Sequence, residues 1–82
     1  MHYTYLVECR DHTFYIGYSN NLEKRIKTHN AGKGAKYTRG RIPVTLRYYE
    51  EYETKTEAMR REYELKKLTR EGKEKLIKEF HK

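Results

Sequence analysis

The fold is decided by residues 3–18, which read YTYLVECRDHTFYIGY. Two runs rich in Tyr, Val, Ile and Phe, residues 3–8 and 13–18, are separated by the polar segment Cys9-Arg10-Asp11-His12. Short β-rich runs on either side of a polar segment are typical of a β-hairpin. The chain is therefore predicted to begin with two antiparallel strands.

Alternation along these two strands indicates which side chains lie together. Successive side chains of a strand point to opposite faces of the sheet. Tyr3, Tyr5 and Val7 should therefore share one face of the first strand. Tyr15 and Gly17 should share one face of the second.

A helix is predicted after the hairpin. Asn20 is a suitable N-cap and Glu23 follows three residues later, which is a capping-box arrangement. Leu22, Ile26 and His29 fall at helical spacing, and Asn30-Ala31-Gly32 supplies a stop.

The remaining elements follow from similar signals. Residues 32–43 contain glycines, a proline and several cations and are predicted to form a loop, and residues 44–49 a third strand. A second long helix is expected from its cap Thr54, and a last one from about Thr69. The last helix should pack through Leu76, Ile77 and Phe80. The fold class is thus α+β, in the order β-β-α-loop-β-α-α, with a small three-stranded antiparallel sheet flanked by helices.

Size and composition limit the class of protein. With 82 residues the chain is one domain, residues 1–82, and its one cysteine, Cys9, excludes an internal disulfide or a multi-cysteine zinc site. The sequence has no signal-peptide pattern and no run of apolar residues that could span a membrane. We expect a cytoplasmic, monomeric protein.

The net charge of +7 is concentrated in one segment. Residues 24–49 contain no acidic residue and eight basic ones: Lys24, Arg25, Lys27, Lys33, Lys36, Arg39, Arg41 and Arg47. Concentrated positive charge is typical of a surface that binds a polyanion. The predicted partner is therefore a nucleic acid, with DNA preferred over RNA. The alternative is a solvated basic face without a ligand.

Within this segment, residues 32–41 have the composition of a phosphate-contact loop. Glycines let backbone amides approach phosphates, and cations add charge. The predicted nucleic-acid-binding residues are Lys33, Lys36, Tyr37, Arg39 and Arg41, with Tyr37 available to stack on a base. The alternative is a flexible, solvated connection.

Glu62 is the strongest single indication of chemistry. It lies within a helical stripe of apolar residues: Ala58, Met59, Leu65 and Leu68. A carboxylate that faces a core is costly unless it is paired or binds a metal. The sequence thus favours a metal ligand over the alternative of a partly buried salt bridge, for instance to an arginine.

Four further side chains suit phosphodiester chemistry. Arg25 and His29 are four residues apart on the predicted helix and project from the same face. Arginine binds phosphate through two parallel hydrogen bonds, and histidine transfers protons near neutral pH. Tyr5 and Tyr15 are ordinary strand formers, but a phenol near a cation or metal loses its proton more readily and can act as a base.

These residues together resemble those of a GIY-YIG nuclease domain, and most closely the small stand-alone bacterial members of that superfamily. Tyr15-Ile16-Gly17 matches the second signature tripeptide, whereas in the first only Tyr5 matches, since Tyr3 and Thr4 replace glycine and isoleucine. Arg25, His29 and Glu62 match the helix arginine, the position four residues later and the metal-binding glutamate of the later helix. The resemblance spans nearly the whole chain.

The resemblance implies an endonuclease that hydrolyses DNA, with one Mg²⁺ or Mn²⁺ held by Glu62. Repair or recombination is the process that the resemblance suggests. It implies that Arg25 binds the phosphate, that Tyr5 activates water with His29 as proton acceptor, and that Tyr15 positions water or phosphate. The family's late asparagine has no counterpart after Glu62. A non-catalytic nucleic-acid-binding module on the same fold is therefore the alternative, and a protein partner could target either one.

Overall fold

The structure, a computed structural model, describes residues 1–81 and confirms the α+β fold. The strands are β1 (His2–Glu8), β2 (Phe14–Ser19) and β3 (Thr45–Tyr52), and the helices are α1 (Leu22–Asn30), α2 (Lys36–Arg39), α3 (Lys55–Lys66) and α4 (Arg70–Phe80). Among residues 1–81, none of the helices has the length and apolar character that crossing a bilayer demands.

The three strands form one antiparallel sheet in the order β2-β1-β3. Tyr5 in the central strand lies opposite Gly17 of β2 and Tyr49 of β3. Since β1 has a neighbour on each side and helices pack on both faces of the sheet, its residues 4–7 are completely buried.

Alternation along β1 divides the interior into two clusters, as the sequence predicts. Tyr5 and Val7 face the α1 side, where they pack with residues that include Leu22 and Ile26. Leu6 faces the opposite side, and Ile16 of β2 packs with it there. The second cluster also includes Leu65 of α3, with Leu76 and Ile77 of α4 packed against it.

The N-cap predicted for α3 and the predicted start of α4 near Thr69 are confirmed, whereas the cap predicted for α1 is wrong by one residue. The Thr54 and Thr69 side chains accept hydrogen bonds from the first turns of α3 and α4. The N-cap of α1 is Asn21 and not Asn20, because Asn21 Oδ1 accepts from the backbone N–H of Lys24. Ser19 Oγ accepts from the backbone N–H of Asn21, so the turn that leaves β2 extends one residue further.

The predicted loop 32–43 also contains regular structure. Lys36–Arg39 form the short helix α2, in which Thr38 is fully buried. Local composition predicted a loop because glycines and cations dominate it, but the contact of Thr38 with α1 orders the segment. This contact places α2 over one end of α1.

Candidate active site

The Tyr5 hydroxyl is the centre of the candidate active site. It lies 2.7 Å from Nε2 of His29 and accepts a hydrogen bond from Nε of Arg25 at 3.4 Å. The strand β1 supplies the phenol and one face of α1 supplies its two partners, as the i, i+4 spacing predicts.

The position of the Tyr5 ring depends on the glycine opposite it. A Cβ atom at Gly17 would lie 2.5 Å from the Tyr5 hydroxyl oxygen and 3.0 Å from Cε2 of Tyr15. Real Cβ atoms do not approach other atoms this closely. The phenol therefore occupies the space that a side chain at position 17 would need, and only glycine fits there. Tyr5 and Tyr15 share this face of the sheet, with ring centroids 6.4 Å apart.

His29 is held on its second side by α2. Its Nδ1 lies 2.8 Å from Oγ1 of Thr38, and the imidazole packs edge-on against Tyr15 with ring centroids 5.5 Å apart. A Cβ atom at Gly34 would clash with the imidazole and would lie 2.9 Å from Cα of His29. Gly34 therefore allows the segment before α2 to cross directly over the histidine.

Burial sets the protonation of both groups. It raises the pKa of Tyr5 to about 12, opposed in part by the Arg25 hydrogen bond and charge. The nearby cation Arg25 does lower the pKa of this phenol, as expected, but burial outweighs that effect. Burial, together with the positive charge of Arg25, lowers the pKa of His29 to about 4, so the imidazole is neutral at neutral pH.

Tyr37 is already engaged by neighbouring side chains. Its ring stacks on Tyr15 with centroids 5.9 Å apart, and the guanidinium of Arg41 lies 4.2 Å from its centroid. Arg41 in turn pairs with Asp11 at 3.0 Å. Tyr37 thus extends the aromatic contacts of the site, and stacking on a base would require these contacts to rearrange.

Glu62 lies on α3, which packs against the face of the sheet opposite to α1. Its carboxylate pairs with Nζ of Lys66 at 3.2 Å and its side chain is 16% exposed. The negative charge of Glu62 also raises the pKa of Tyr5, less than burial and Tyr15 do.

The apolar stripe around Glu62 is narrower than the sequence predicts. Ala58 and Leu65 are buried, but Met59 and Leu68 are 45% and 37% exposed. Glu62 therefore lies at the rim of the second core, where a lysine and water can reach it. Its ion-pair partner is Lys66 and not an arginine.

The donor set limits how a metal could bind. Within residues 1–81 no group of three or more His, Cys, Asp or Glu side chains converges on one point. A single rim carboxylate fits a hard cation such as Mg²⁺, which keeps several of its waters when it binds to proteins. It does not fit a cation that needs several protein ligands.

The basic segment has acidic partners in space. Lys27 pairs with Glu23, Arg41 with Asp11 and Arg47 with Glu8. Arg39 donates to the Gly34 carbonyl, whereas Lys33 and Lys36 are exposed. Part of the predicted positive charge is thus neutralised by residues that lie outside the segment.

A groove runs along the β2 edge of the sheet, beside the site. It has a volume of about 210 Å³ and is lined by Phe14, Tyr15, Ile16, Tyr37, Lys66 and Lys73. We refer to it as the β2-edge groove. Sequence reasoning missed Lys66, Lys73 and the site contact of Thr38, although the i, i+4 spacing of Lys66 from Glu62 was a visible signal.

Comparison with known proteins places the chain in a family. A family model described as the GIY-YIG catalytic domain matches residues 1–76. A UPF0213 protein of Bacillus licheniformis is 60% identical over 78 residues, which are 95% of this chain and 80% of that protein. A UPF0213 protein of Halobacterium salinarum is 57% identical over 94% of this chain and 100% of its own length.

Two solved structures are also similar. The solution NMR structure of a UPF0213 protein from Bacillus halodurans has a TM-score of 0.60 and 51% identity, covering 94% of this chain and 82% of that one. The solution NMR structure of a protein from E. faecalis has a TM-score of 0.63 and 46% identity, with coverage of 98% and 85%.

Proposed function

Because this chain belongs to the GIY-YIG family, a nuclease superfamily, we propose that it is a divalent-metal-dependent endonuclease that hydrolyses DNA phosphodiester bonds. The observation that carries the proposal is the hydrogen-bonded group of Tyr5, His29 and Arg25, to which we add Glu62 of α3 as the carboxylate. This group combines a proton path, a phosphate-binding cation and a carboxylate, which are the parts that phosphodiester hydrolysis needs.

In the proposed reaction Arg25 donates to a non-bridging oxygen of the scissile phosphate. Tyr5 takes a proton from the attacking water while its own proton passes to Nε2 of His29, and the leaving oxygen is protonated by solvent. A coupled transfer avoids a free phenolate, which the raised pKa of Tyr5 disfavours. Tyr15, which is partly exposed beside Tyr5, positions the water or phosphate.

The burial of Tyr5 adds a condition. Its side chain has no exposed surface, and Arg25 contacts its hydroxyl oxygen. We propose that Arg25 leaves this contact when it binds the phosphate, and that its departure admits the water. Substrate binding and base activation are then linked through one side chain.

Glu62 is the proposed metal ligand, and Mg²⁺, or alternatively Mn²⁺, is the proposed ion. When bound, the ion supplies positive charge that stabilises the scissile phosphate and the leaving oxygen. Lys66 has to give up its ion pair with Glu62 to make this possible. The released ammonium, with Lys73, then lies in the β2-edge groove, where both can bind phosphates beside the cleavage point.

The proposed substrate contacts on the other side of the site are Lys33, Lys36, Tyr37, Arg39 and Arg41. A domain of this size has little surface for reading bases, so we propose that DNA structure or a protein partner directs it. Branched DNA of the kind formed in repair or recombination is the corresponding substrate. The second candidate function is a non-catalytic nucleic-acid-binding module, favoured by the high pKa and full burial of Tyr5.

A cleavage assay decides between these two functions. Supercoiled plasmid, single-stranded DNA, branched DNA and RNA are incubated with Mg²⁺, Mn²⁺ or EDTA. We expect wild-type protein to cut at least one DNA substrate with metal only. Arg25→Ala and Glu62→Gln should each reduce cleavage about 100-fold or more, a loss typical of removing charge stabilisation of the transition state.

Matched controls in or close to the same helices separate chemistry from general charge. Lys24→Ala removes an exposed cation next to Arg25, and Glu53→Gln removes an exposed carboxylate shortly before α3. Both should cut as well as wild type. Binding without cleavage by the wild-type protein on every substrate would establish the non-catalytic module, and cutting of RNA alone would overturn the DNA assignment.

A further inference from the structure

The contact between Thr38 and His29 determines which ring nitrogen carries the proton. We propose that Thr38 is a positioning residue that holds the buried, neutral His29 as its Nδ1–H tautomer, so that Nε2 is free to accept the proton of Tyr5. The catalytic consequence rests on the proposed function, whereas the tautomer itself does not.

The first line of argument starts from the threonine. Its hydroxyl carries one proton, and Oγ1 lies 2.9 Å from the Ala35 carbonyl oxygen and 2.8 Å from Nδ1 of His29. A carbonyl only accepts, so the hydroxyl proton goes to Ala35 and Oγ1 accepts from the histidine. Nδ1 must then carry hydrogen.

The second line starts from the tyrosine and reaches the same result. Within residues 1–81, the Tyr5 hydroxyl has two polar neighbours, Nε of Arg25 and Nε2 of His29. A guanidinium only donates, and the fully buried Tyr5 has no access to solvent. The imidazole is therefore the acceptor for the phenol proton, and Nε2 must lack hydrogen.

The two lines describe one hydrogen-bond chain with a fixed direction. Arg25 donates to Tyr5, Tyr5 to His29, His29 to Thr38, and Thr38 to Ala35. A reversed imidazole would leave the buried phenol proton without a partner, which is costly in the absence of solvent. The chain therefore selects a single tautomer.

The segment around Thr38 is built to keep this contact. Gly34 permits close approach to the histidine, and Arg39 donates to the Gly34 carbonyl at 3.2 Å, which closes the turn before α2. Thr38 itself is 0% exposed, so water cannot replace it as the partner of Nδ1. Its role is thus positional, since Thr38 contacts His29 and does not contact the Tyr5 hydroxyl that gives up the proton.

The test measures the tautomer directly. Protein labelled with ¹⁵N at histidine is studied by long-range ¹H–¹⁵N correlation, which distinguishes a protonated Nδ1 from a protonated Nε2. Wild-type protein and Thr38→Ser, which keeps the hydroxyl, should show His29 protonated at Nδ1. Thr38→Val, which keeps the shape and removes the acceptor, should show a mixture of tautomers or protonation at Nε2.

A kinetic readout completes the test. Thr38→Val should lower kcat for DNA cleavage about 10- to 100-fold with KM unchanged, which is within the range that a positioned proton acceptor contributes. Thr38→Ser should retain the wild-type kcat. Wild-type His29 protonated at Nε2, or Thr38→Val with the wild-type tautomer and rate, would overturn the inference. The wild-type spectrum tests it even if Thr38→Val does not fold.

The two proposals fail in different ways. Protein that cuts no substrate but has His29 protonated at Nδ1 contradicts only the endonuclease proposal. Protein that cuts well but has the opposite tautomer contradicts only the role of Thr38.

Discussion

On the α1 side of the sheet, the polar groups of the candidate site form a closed hydrogen-bond chain from Arg25 to Ala35, buried in its central part. On the α3 side, Glu62 makes an ion pair at the rim with Lys66, a lysine that is 53% exposed. Packing fixes the hydrogen-bonded groups on the α1 side, whereas Glu62 on the α3 side can exchange its lysine partner. The hydrogen-bonded part of the candidate site is thus preorganised by the fold, whereas the Glu62 carboxylate keeps a partner that it can exchange.

Acid should affect the α1 side most. The pKa of His29 is about 4 in the folded protein, against an ordinary value of 6.5, so the unfolded chain binds more protons between these values. The stabilisation is present above pH 6.5 and is lost as pH falls towards 4. We expect this group alone to remove about 3 kcal/mol of unfolding free energy over that range, measured by urea denaturation.

The His29→Gln variant isolates this contribution. Other groups titrate in the same range, so the informative quantity is the difference in pH dependence between variant and wild type, which should be flatter for the variant. His12→Asn is the matched control, because His12 is exposed and asparagine tolerates the positive φ of 66° at this position. Equal pH dependence in wild type and His29→Gln would show that the α1 side is not the acid-sensitive half.

Added volume should also disrupt the α1 side. Gly17→Ala and Gly34→Ala place a methyl group against Tyr5 and His29, and each should lower the unfolding free energy by roughly 1–3 kcal/mol. Gly40→Ala meets no heavy atom within 4 Å and should change stability by less than about 0.5 kcal/mol. Chemical denaturation measures all three, and equal effects at the three positions would refute the tight packing of this face.

Loosening α3 should leave the α1 side intact. Thr54→Ala removes the N-cap that accepts from the Glu57 backbone N–H and should cost about 1 kcal/mol. The His29 tautomer, read by ¹⁵N spectroscopy in the same variant, should not change. A changed tautomer would mean that the two halves are mechanically coupled.

The smallest effect on stability is expected at Glu62. Glu62→Gln breaks an ion pair with a largely solvated lysine, so the unfolding free energy should change by less than about 0.5 kcal/mol, even though the proposed function predicts a loss of cleavage. Thermal and urea denaturation measure the first quantity. A loss well above 1 kcal/mol would instead assign Glu62 a structural role.

Sequence patterns predicted most of this architecture because they are local. Alternation placed Tyr5 and Val7 on one face of β1, and Tyr15 and Gly17 on one face of β2. The i, i+4 spacing placed Arg25 beside His29. The cap Thr54 was identifiable because its partner lies three residues away. Such features depend only on neighbouring residues along the chain.

Features that depend on tertiary contacts escaped prediction. Thr38 is one of several polar residues in a glycine-rich segment until the fold places it against His29. The rise in the pKa of Tyr5 depends on burial that no local pattern reveals. Likewise, Asp11 and Glu8 neutralise part of the basic segment only because the hairpin turn folds back beside it.

The strand order β2-β1-β3 also has a consequence for the newly synthesised chain. The hairpin of β1 and β2 can close as soon as both strands have left the ribosome, but the other edge of β1 stays open until Thr45–Tyr52 has emerged. This edge belongs to the most deeply buried strand, and open apolar edges promote self-association. Nascent chains that stop before Tyr52 should therefore be the form most in need of a chaperone.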